Sequence, residues 1–323
     1  MIHRVVACAH ANIALIKYWG KQTALGNLPA TPSISLALDK LYTETIVTRE
    51  EKGVDEFFLN DSPVEKTTKD RLLKYLNFWR SESLLDGTFS VHSSNNFPTG
   101  AGLASSSSGF AALATALGKF SNKKLNRSEL SVLARRGSGS AARSIPGALA
   151  AFPVSANPSA RRLLPPEKIS WGMVIVVVNN AEKETGSSIG MELSRKTSPY
   201  YKSWIAQAHK DYQNILAVIK KDDFTKVGEI TEANALAMHA CMIATRPALV
   251  YWNGVTVDII RSAKQWRENG LEVYATIDAG AHVALLARLD DLNKVAKKAK
   301  KIEGVEKAVI CKPAGGSRVI KWE

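Results

Sequence analysis

One stretch constrains this chain more than any other: Pro98-Thr99-Gly100-Ala101-Gly102-Leu103-Ala104-Ser105-Ser106-Ser107-Ser108-Gly109. Phe110, Leu113, Leu117 and Phe120 follow at once, at three- and four-residue spacing. That spacing predicts an amphipathic helix opening directly out of a Gly/Ser loop. Glycines let backbone N–H groups converge on one point without Cβ clashes. The helix N-terminus adds partial positive charge and unpaired N–H donors. Serine hydroxyls can bind phosphate oxygens or a magnesium ion. Together these features suit a nucleoside triphosphate. The loop is not of the Walker A type, because no Gly-Lys-Ser/Thr follows. Taken alone, the same residues fit a Gly/Ser turn with a serine N-cap, and both readings stay open at this point.

The flanking sequence reads as α+β. Residues 1–60 are strand-rich, as in Thr43–Thr48 and Glu56–Leu59, and residues 87–92 alternate Phe89 and Val91. Leu130 and Leu133 mark a second helix. Trp171–Val178 is a short apolar run, the pattern of a buried strand. Beyond it, helices are expected near 199–220, 223–244 and 256–269, and strands at 273–277, 282–287 and 307–311. Residues 153–169 contain four prolines and are expected to form a surface connection. A chain of 323 residues has room for one large or two moderate domains. The boundary is placed near residue 180, giving domains 1–180 and 181–323.

The formal charge is +13, which favours an anionic partner such as nucleic acid, an anionic membrane or a polyphosphate. Much of the excess has a plainer explanation. Lys294, Lys297, Lys298, Lys300 and Lys301 lie among Leu292, Val295, Ala296, Ala299 and Ile302, the pattern of a helix with a lysine-coated outer face. There is no arginine-rich tail, zinc-finger spacing or aromatic-basic motif, so no nucleic-acid partner is expected. His3, Arg4, His10 and Asn12 interrupt the N-terminal apolar stretch, unlike a signal peptide or membrane span. No membrane partner is therefore expected, and a cytoplasmic location is. Cys8, Cys241 and Cys311 lie far apart, without metal-ligand spacing or an even count for a disulfide framework.

Other segments narrow the reading. Ala11-Asn12-Ile13-Ala14-Leu15-Ile16-Lys17-Tyr18-Trp19-Gly20-Lys21 resembles the N-terminal signature of the diphosphomevalonate decarboxylases. Asn96-Phe97-Pro98-Thr99 leading into Ala101–Ser106 resembles their phosphate loop, and residues 134–144 (ARRGSGSAARS) their third signature. Asp278-Ala279-Gly280 stands where that family has its late catalytic aspartate. Weaker echoes are PATPSISLAL (29–38), SSIGM (187–191) and ALAMHA (235–240). Several long motifs in register are far more specific than any one of them.

The resemblance implies a two-domain α+β fold of the galactose, homoserine, mevalonate and phosphomevalonate kinase superfamily. Its N-terminal domain would be ribosomal-protein-S5-like and its C-terminal domain ferredoxin-like, with the active site in the cleft between them. It also implies the partners: ATP, a phosphorylated mevalonate and Mg2+ bridging the ATP phosphates, with a homodimer left open. ATP would phosphorylate the tertiary 3-hydroxyl, after which phosphate and carbon dioxide leave to give isopentenyl diphosphate. By resemblance Asp278 is the catalytic aspartate, and Arg143 orients the departing carboxylate with its bidentate fork. Asn12 and Lys17 complete the catalytic set. Tyr18, Trp19, Gly20, Lys21, Ser138, Gly139, Ser140, Ser187 and Ser188 would bind substrate, although Trp19 is most simply packing. Gly100, Ala101, Gly102, Leu103, Ala104, Ser105, Ser106 and Arg71 would hold the nucleotide, with Ser106 nearest the metal. His10 and His239 are expected to be structural, since the mechanism needs no imidazole.

Two positions depart from the family pattern. Ala281 and His282 replace the usual Pro-Asn after Asp278-Ala279-Gly280, and Ser188 stands where relatives carry Arg or Thr. Rival readings are a decarboxylase of the monophosphate, a 3-kinase that does not decarboxylate, and a basic nucleic-acid-binding protein on a degenerate enzyme fold.

Overall fold

The computed structural model describes residues 2–23, 25–51, 53–97, 105–178 and 185–323. From the N-terminus run β1 (Arg4–Ile16), β2 (Ser33–Glu50), β3 (Glu56–Leu59), β4 (Ser62–Pro63), α1 (Lys66–Ser81), β5 (Thr88–Asn95), α2 (Ser105–Phe120), α3 (Arg127–Gly137) and α4 (Ala141–Ser144). Then come β6 (Leu149–Phe152), β7 (Arg161–Leu164), β8 (Trp171–Val178), α5 (Ser187–Thr197), α6 (Tyr201–Ile219), α7 (Phe224–Ile243) and α8 (Gly254–Glu268). The chain finishes with β9 (Val273–Ile277), β10 (Val283–Arg288), α9 (Leu292–Ala299), β11 (Val305–Cys311) and β12 (Arg318–Trp322).

β1 and β2 form the spine of an eight-stranded sheet ordered β12-β1-β2-β5-β3-β4, with β6 on the first half of β2 and β7 on β6. Along β1 the period of two groups Val5, Ala7 and Ala9 in one apolar cluster; the register with β2 shifts between His10 and Asn12, and Ala11, Ile13 and Leu15 fall in another. The first cluster is closed by Tyr75, Leu76 and Trp79 of α1 and by α2, which is buried nearly all round. The central position of α2 aims its first residues at the second half of the molecule.

A four-stranded antiparallel sheet, β11-β8-β10-β9, makes that half. Both of its faces are covered, which explains the continuous apolar run of β8. Met173, Ile175 and Val177 pack toward β1, β2 and α6, while Val174, Val176 and Val178 pack toward α8 and α9. β8 precedes residue 180 yet belongs to this sheet, and β12 returns to pair with β1.

The expected elements of the second half fall within two residues of α6 to α8 and β9 to β11. The lysine-coated helix is α9, with Leu292, Val295, Ala296 and Ala299 buried. Residues 153–169 are more than a connection, because Arg161–Leu164 pairs with β6. The prolines flank that strand rather than interrupt it, so they remove no ladder donor. Among the described residues no helix is long and apolar enough to cross a membrane.

Helix α7 seats closely on β9. A Cβ at Gly228 would fall within the ring of Tyr274, which is buried. Alanine would gain about 1 kcal/mol of helix propensity, but overpacking a core costs about 1–3 kcal/mol. The Gly228→Ala protein should therefore be less stable, by up to about 2 kcal/mol, in urea unfolding; greater stability would show that α7 can shift freely.

Candidate active site

The two halves meet at a cleft of about 440 Å³. β1 delivers Asn12 and Lys17 to it, α2 Ser105 and Ser106, the turn between α3 and α4 Ser138, Gly139 and Ser140, α4 Arg143, α5 Ser187 and Ser188, and the end of β9 Asp278. Tyr18, Trp19, Lys21 and Arg71 complete the set, so every expected site residue among the described ones lines the cleft except Gly20. Gly20 packs against the hydroxyl of Tyr201 instead. Gly100, Ala101, Gly102, Leu103 and Ala104 lie outside the described residues.

At the centre, Lys17 Nζ lies 2.6 Å from Asp278 Oδ1. The Lys17 side chain is 1% exposed, whereas that of Asp278 is 28% exposed and stays open to the cleft. Burial pulls the Lys17 ammonium down from its ordinary pKa, and Asp278 opposes that shift. The pair joins the end of β1 to the end of β9, one element from each sheet.

Arg143 is buried beside it, its pKa pulled down to about 10 by desolvation against the pull of Asp278. Its Nε donates to Ser35 Oγ at 2.8 Å and its Nη1 to Ser33 Oγ at 2.5 Å, which fixes the guanidinium plane. Ser33 and Ser35 share one face of β2 by the period of two. They sit in the PATPSISLAL echo and are fully buried, and the sequence signal that could have exposed them is two serines alternating with Ile34 and Leu36 in an otherwise apolar run.

Asn12 Nδ2 donates to Ser144 Oγ at 2.8 Å and to Ser140 O at 3.1 Å. Its Oδ1 is buried without a partner, an acceptor available to a ligand hydroxyl. Ser138 Oγ stands 3.2 Å from both Ser106 Oγ and Ser140 Oγ, so three hydroxyls converge near the α2 N-terminus. Arg71 donates to Gly137 O at 2.6 Å and stacks on Phe110. A Cβ at Gly139 would collide with the Tyr18 ring, so that glycine serves close packing as well as the turn. Lys21 Nζ meets Ser188 Oγ at 2.9 Å. Trp19 is chiefly packing: it is 1% exposed and its Nε1 donates to Ser194.

Among the described residues the cleft therefore presents four cationic side chains, Lys17, Lys21, Arg71 and Arg143, against one carboxylate, that of Asp278. That balance, with hydroxyls at a helix N-terminus, suits a polyanion. Among the described residues no three His, Cys, Asp or Glu side chains converge on a metal site. A magnesium ion held by phosphate oxygens, waters and a serine hydroxyl needs no such cluster, and Ser106 is a hydroxyl of that kind.

Residues 9–160 match the diphosphomevalonate decarboxylase-like N-terminal domain, and residues 173–314 match the mevalonate 5-diphosphate decarboxylase C-terminal domain. The diphosphomevalonate decarboxylase of Candida albicans is 33% identical over 297 residues, covering 86% of this chain and 82% of that protein. The chain belongs to the diphosphomevalonate decarboxylase family. The crystal structure of mevalonate diphosphate decarboxylase from Staphylococcus aureus is similar throughout, with TM-score 0.94, 35% identity and 99% of each chain covered. A chain solved in complex with MVAPP, AMPPCP and magnesium is similar at TM-score 0.93 and 34% identity, covering 99% of this chain and 100% of that one.

Against the decarboxylase pattern, the two departures find their places. His282 does not enter the cleft: its Nδ1 accepts the Val178 N–H at 3.2 Å, tying the loop after Asp278 to the end of β8. Ser188 stays at the cleft as the partner of Lys21. The histidines expected to be structural do lie outside the cleft lining. His239 Nε2 is 3.2 Å from Trp252 Nε1 and 3.4 Å from Ile277 O, and its Nδ1 is buried without a partner. Burial, and then the nearby Lys17 charge, pull its pKa from 6.5 to about 3.

Such a histidine gains its proton more readily when the chain unfolds. Its contribution to stability is intact above pH 6.5 and is lost as the pH falls from 6.5 toward 3. Between pH 7 and 5 the loss should be about 2 kcal/mol. Denaturant unfolding of wild type and His239→Gln at both pH values measures it; an equal loss in the two proteins would contradict the assignment.

Proposed function

We propose that the chain catalyses the ATP-dependent decarboxylation of mevalonate 5-diphosphate to isopentenyl diphosphate, with release of ADP, phosphate and carbon dioxide. The observation that carries this reading is the buried Lys17–Asp278 pair facing a cationic cleft, with Arg143 held beside it by two serines. Family membership over nearly the whole chain supports it, as does the similar chain bound to MVAPP, AMPPCP and magnesium.

A tertiary alcohol is weakly acidic and must be aimed at the γ-phosphorus. Asp278 accepts the proton of the 3-hydroxyl as its oxygen attacks, while Lys17 holds the carboxylate in place. The unpartnered Oδ1 of Asn12 takes up the same region of the substrate. Once the 3-oxygen carries phosphate, it can leave with the electrons of the C–O bond. Loss of carbon dioxide then supplies the electron pair of the new double bond. Arg143 holds the departing carboxylate, its fork pre-set by Ser33 and Ser35. Lys21, Ser138, Ser140, Ser187 and Ser188 receive the 5-phosphates. Ser105, Ser106 and Arg71 serve the nucleotide, with Ser106 as the protein oxygen for magnesium, which neutralises phosphate charge when bound. The reading implies a cytoplasmic enzyme acting on small anions, without nucleic-acid or membrane partners.

The direct test supplies ATP with the diphosphate and monophosphate separately and measures ADP, carbon dioxide and product. Carbon dioxide should form in step with ADP, with kcat/KM favouring the diphosphate. ADP without carbon dioxide on both substrates would leave a kinase. A tenfold preference for the monophosphate, about 1.4 kcal/mol, would reassign the substrate.

Asp278→Asn should lower kcat by about 10²–10⁴-fold while nucleotide binding survives; wild-type turnover would remove the aspartate from its role. Arg143→Lys should lower kcat/KM by at least about tenfold, because one ammonium cannot reproduce the guanidinium fork. An unchanged kcat/KM would show that Arg143 does not hold the carboxylate.

A further inference from the structure

The ALAMHA echo follows directly on Asn234; its Met238 lines the cleft, but the cleft chemistry gives Asn234 no task. Asn234 is fully buried and does not line the cleft. Its Oδ1 accepts the backbone N–H of Lys17 at 2.8 Å. Its Nδ2 donates to Asp211 Oδ2 on α6, also at 2.8 Å, and Asp211 Oδ1 accepts from Gln207 Nε2 at 2.7 Å. The orientation of the Asn234 amide is forced, since one neighbour can only donate and the other only accept.

Lys17 is the first residue past the end of β1, so the sheet ladder no longer fixes its backbone. Its carbonyl is held by Thr31 Oγ1 at 3.3 Å, a long bond, which leaves Asn234 as the firmer tether. From that point the side chain runs to Asp278. An error in the Lys17 backbone therefore passes straight to the carboxylate that must meet the 3-hydroxyl.

We infer that Asn234, oriented by Asp211, is a positioning residue for the reaction: it sets the Lys17 backbone and through it the geometry of Asp278. The inference rests on the catalytic roles proposed for Lys17 and Asp278. A misplacement of about 1 Å in a catalytic group costs about 10²-fold in rate. The asparagine amide presents an acceptor to Lys17 and a donor to Asp211 at once, and glutamine would carry the same groups one methylene further out. Aspartate at 234 would set two carboxylates against each other.

The test is a polarity swap. Asn234→Asp and Asn234→Ala should each lower kcat by about 10–100-fold, with KM for ATP changed less than about twofold. In the double variant Asn234→Asp/Asp211→Asn the aspartate accepts from both Lys17 and the new asparagine, whose oxygen still accepts from Gln207. All three bonds are restored at unchanged net charge, and kcat should recover most of the loss. Thermal unfolding is followed in parallel, and if Asn234→Asp does not fold, the swap is read against Asn234→Ala. Wild-type kcat in Asn234→Ala, or a swap no faster than the single variants, overturns the inference. Asp278→Asn is assayed beside them. If it keeps full turnover, the proposed site and this inference fall together; if it is inactive while Asn234→Ala is not, the inference alone falls.

Discussion

A buried ammonium against a carboxylate organises this molecule. Lys17 is almost wholly removed from water, and a lone charge there would cost several kcal/mol. Asp278 compensates it at 2.6 Å, and the two residues come from different sheets. The pair therefore fixes the relative position of the strand ends that wall the cleft. Arg143 stands close enough for its charge to be felt by Lys17, so one carboxylate serves two cations. Among the described residues the cleft carries more positive than negative side chains, a balance that suits an anionic ligand.

The supporting contacts divide between neutral and charged groups in a consistent way. Apart from Lys17, the cations that line the cleft are held by hydroxyls or a carbonyl: Arg143 by Ser33 and Ser35, Arg71 by Gly137 O, Lys21 by Ser188. Neutral partners orient a charge without neutralising it, which leaves its attraction for phosphate and carboxylate undiminished. The departure at His282 respects the same division. A neutral ring braces the Asp278 loop against β8 and adds no charge to the cleft.

Local pattern carries much of this into the sequence. The run Trp171–Val178 reads as a strand buried on both faces, and the α6, α7 and α8 periodicities are plain. The long motifs name the cleft residues because each motif is one local piece of wall. What stays hidden depends on distant partners. Ser33 and Ser35 take their meaning from Arg143, 110 and 108 residues on, and Asn234 from Lys17, 217 residues back. β12 is invisible as part of the first sheet because it pairs with β1 across almost the whole chain. Helix α1 is hard to read because Lys and Arg crowd its sequence, although Tyr75, Leu76 and Trp79 are buried.

β1 takes part in both apolar clusters, Val5, Ala7 and Ala9 in one and Ala11, Ile13 and Leu15 in the other, and its register with β2 shifts between His10 and Asn12, where it passes from one to the other. Met173, Ile175 and Val177 of β8 share an apolar cluster with Ala11, Ile13 and Leu15 of β1, so the two sheets should be coupled in unfolding. A cut between the sheets would not release two independent modules: the piece holding β8 to β11 would lose the strand that covers its inner face. The cleft is thus bounded by parts that cannot come apart one at a time.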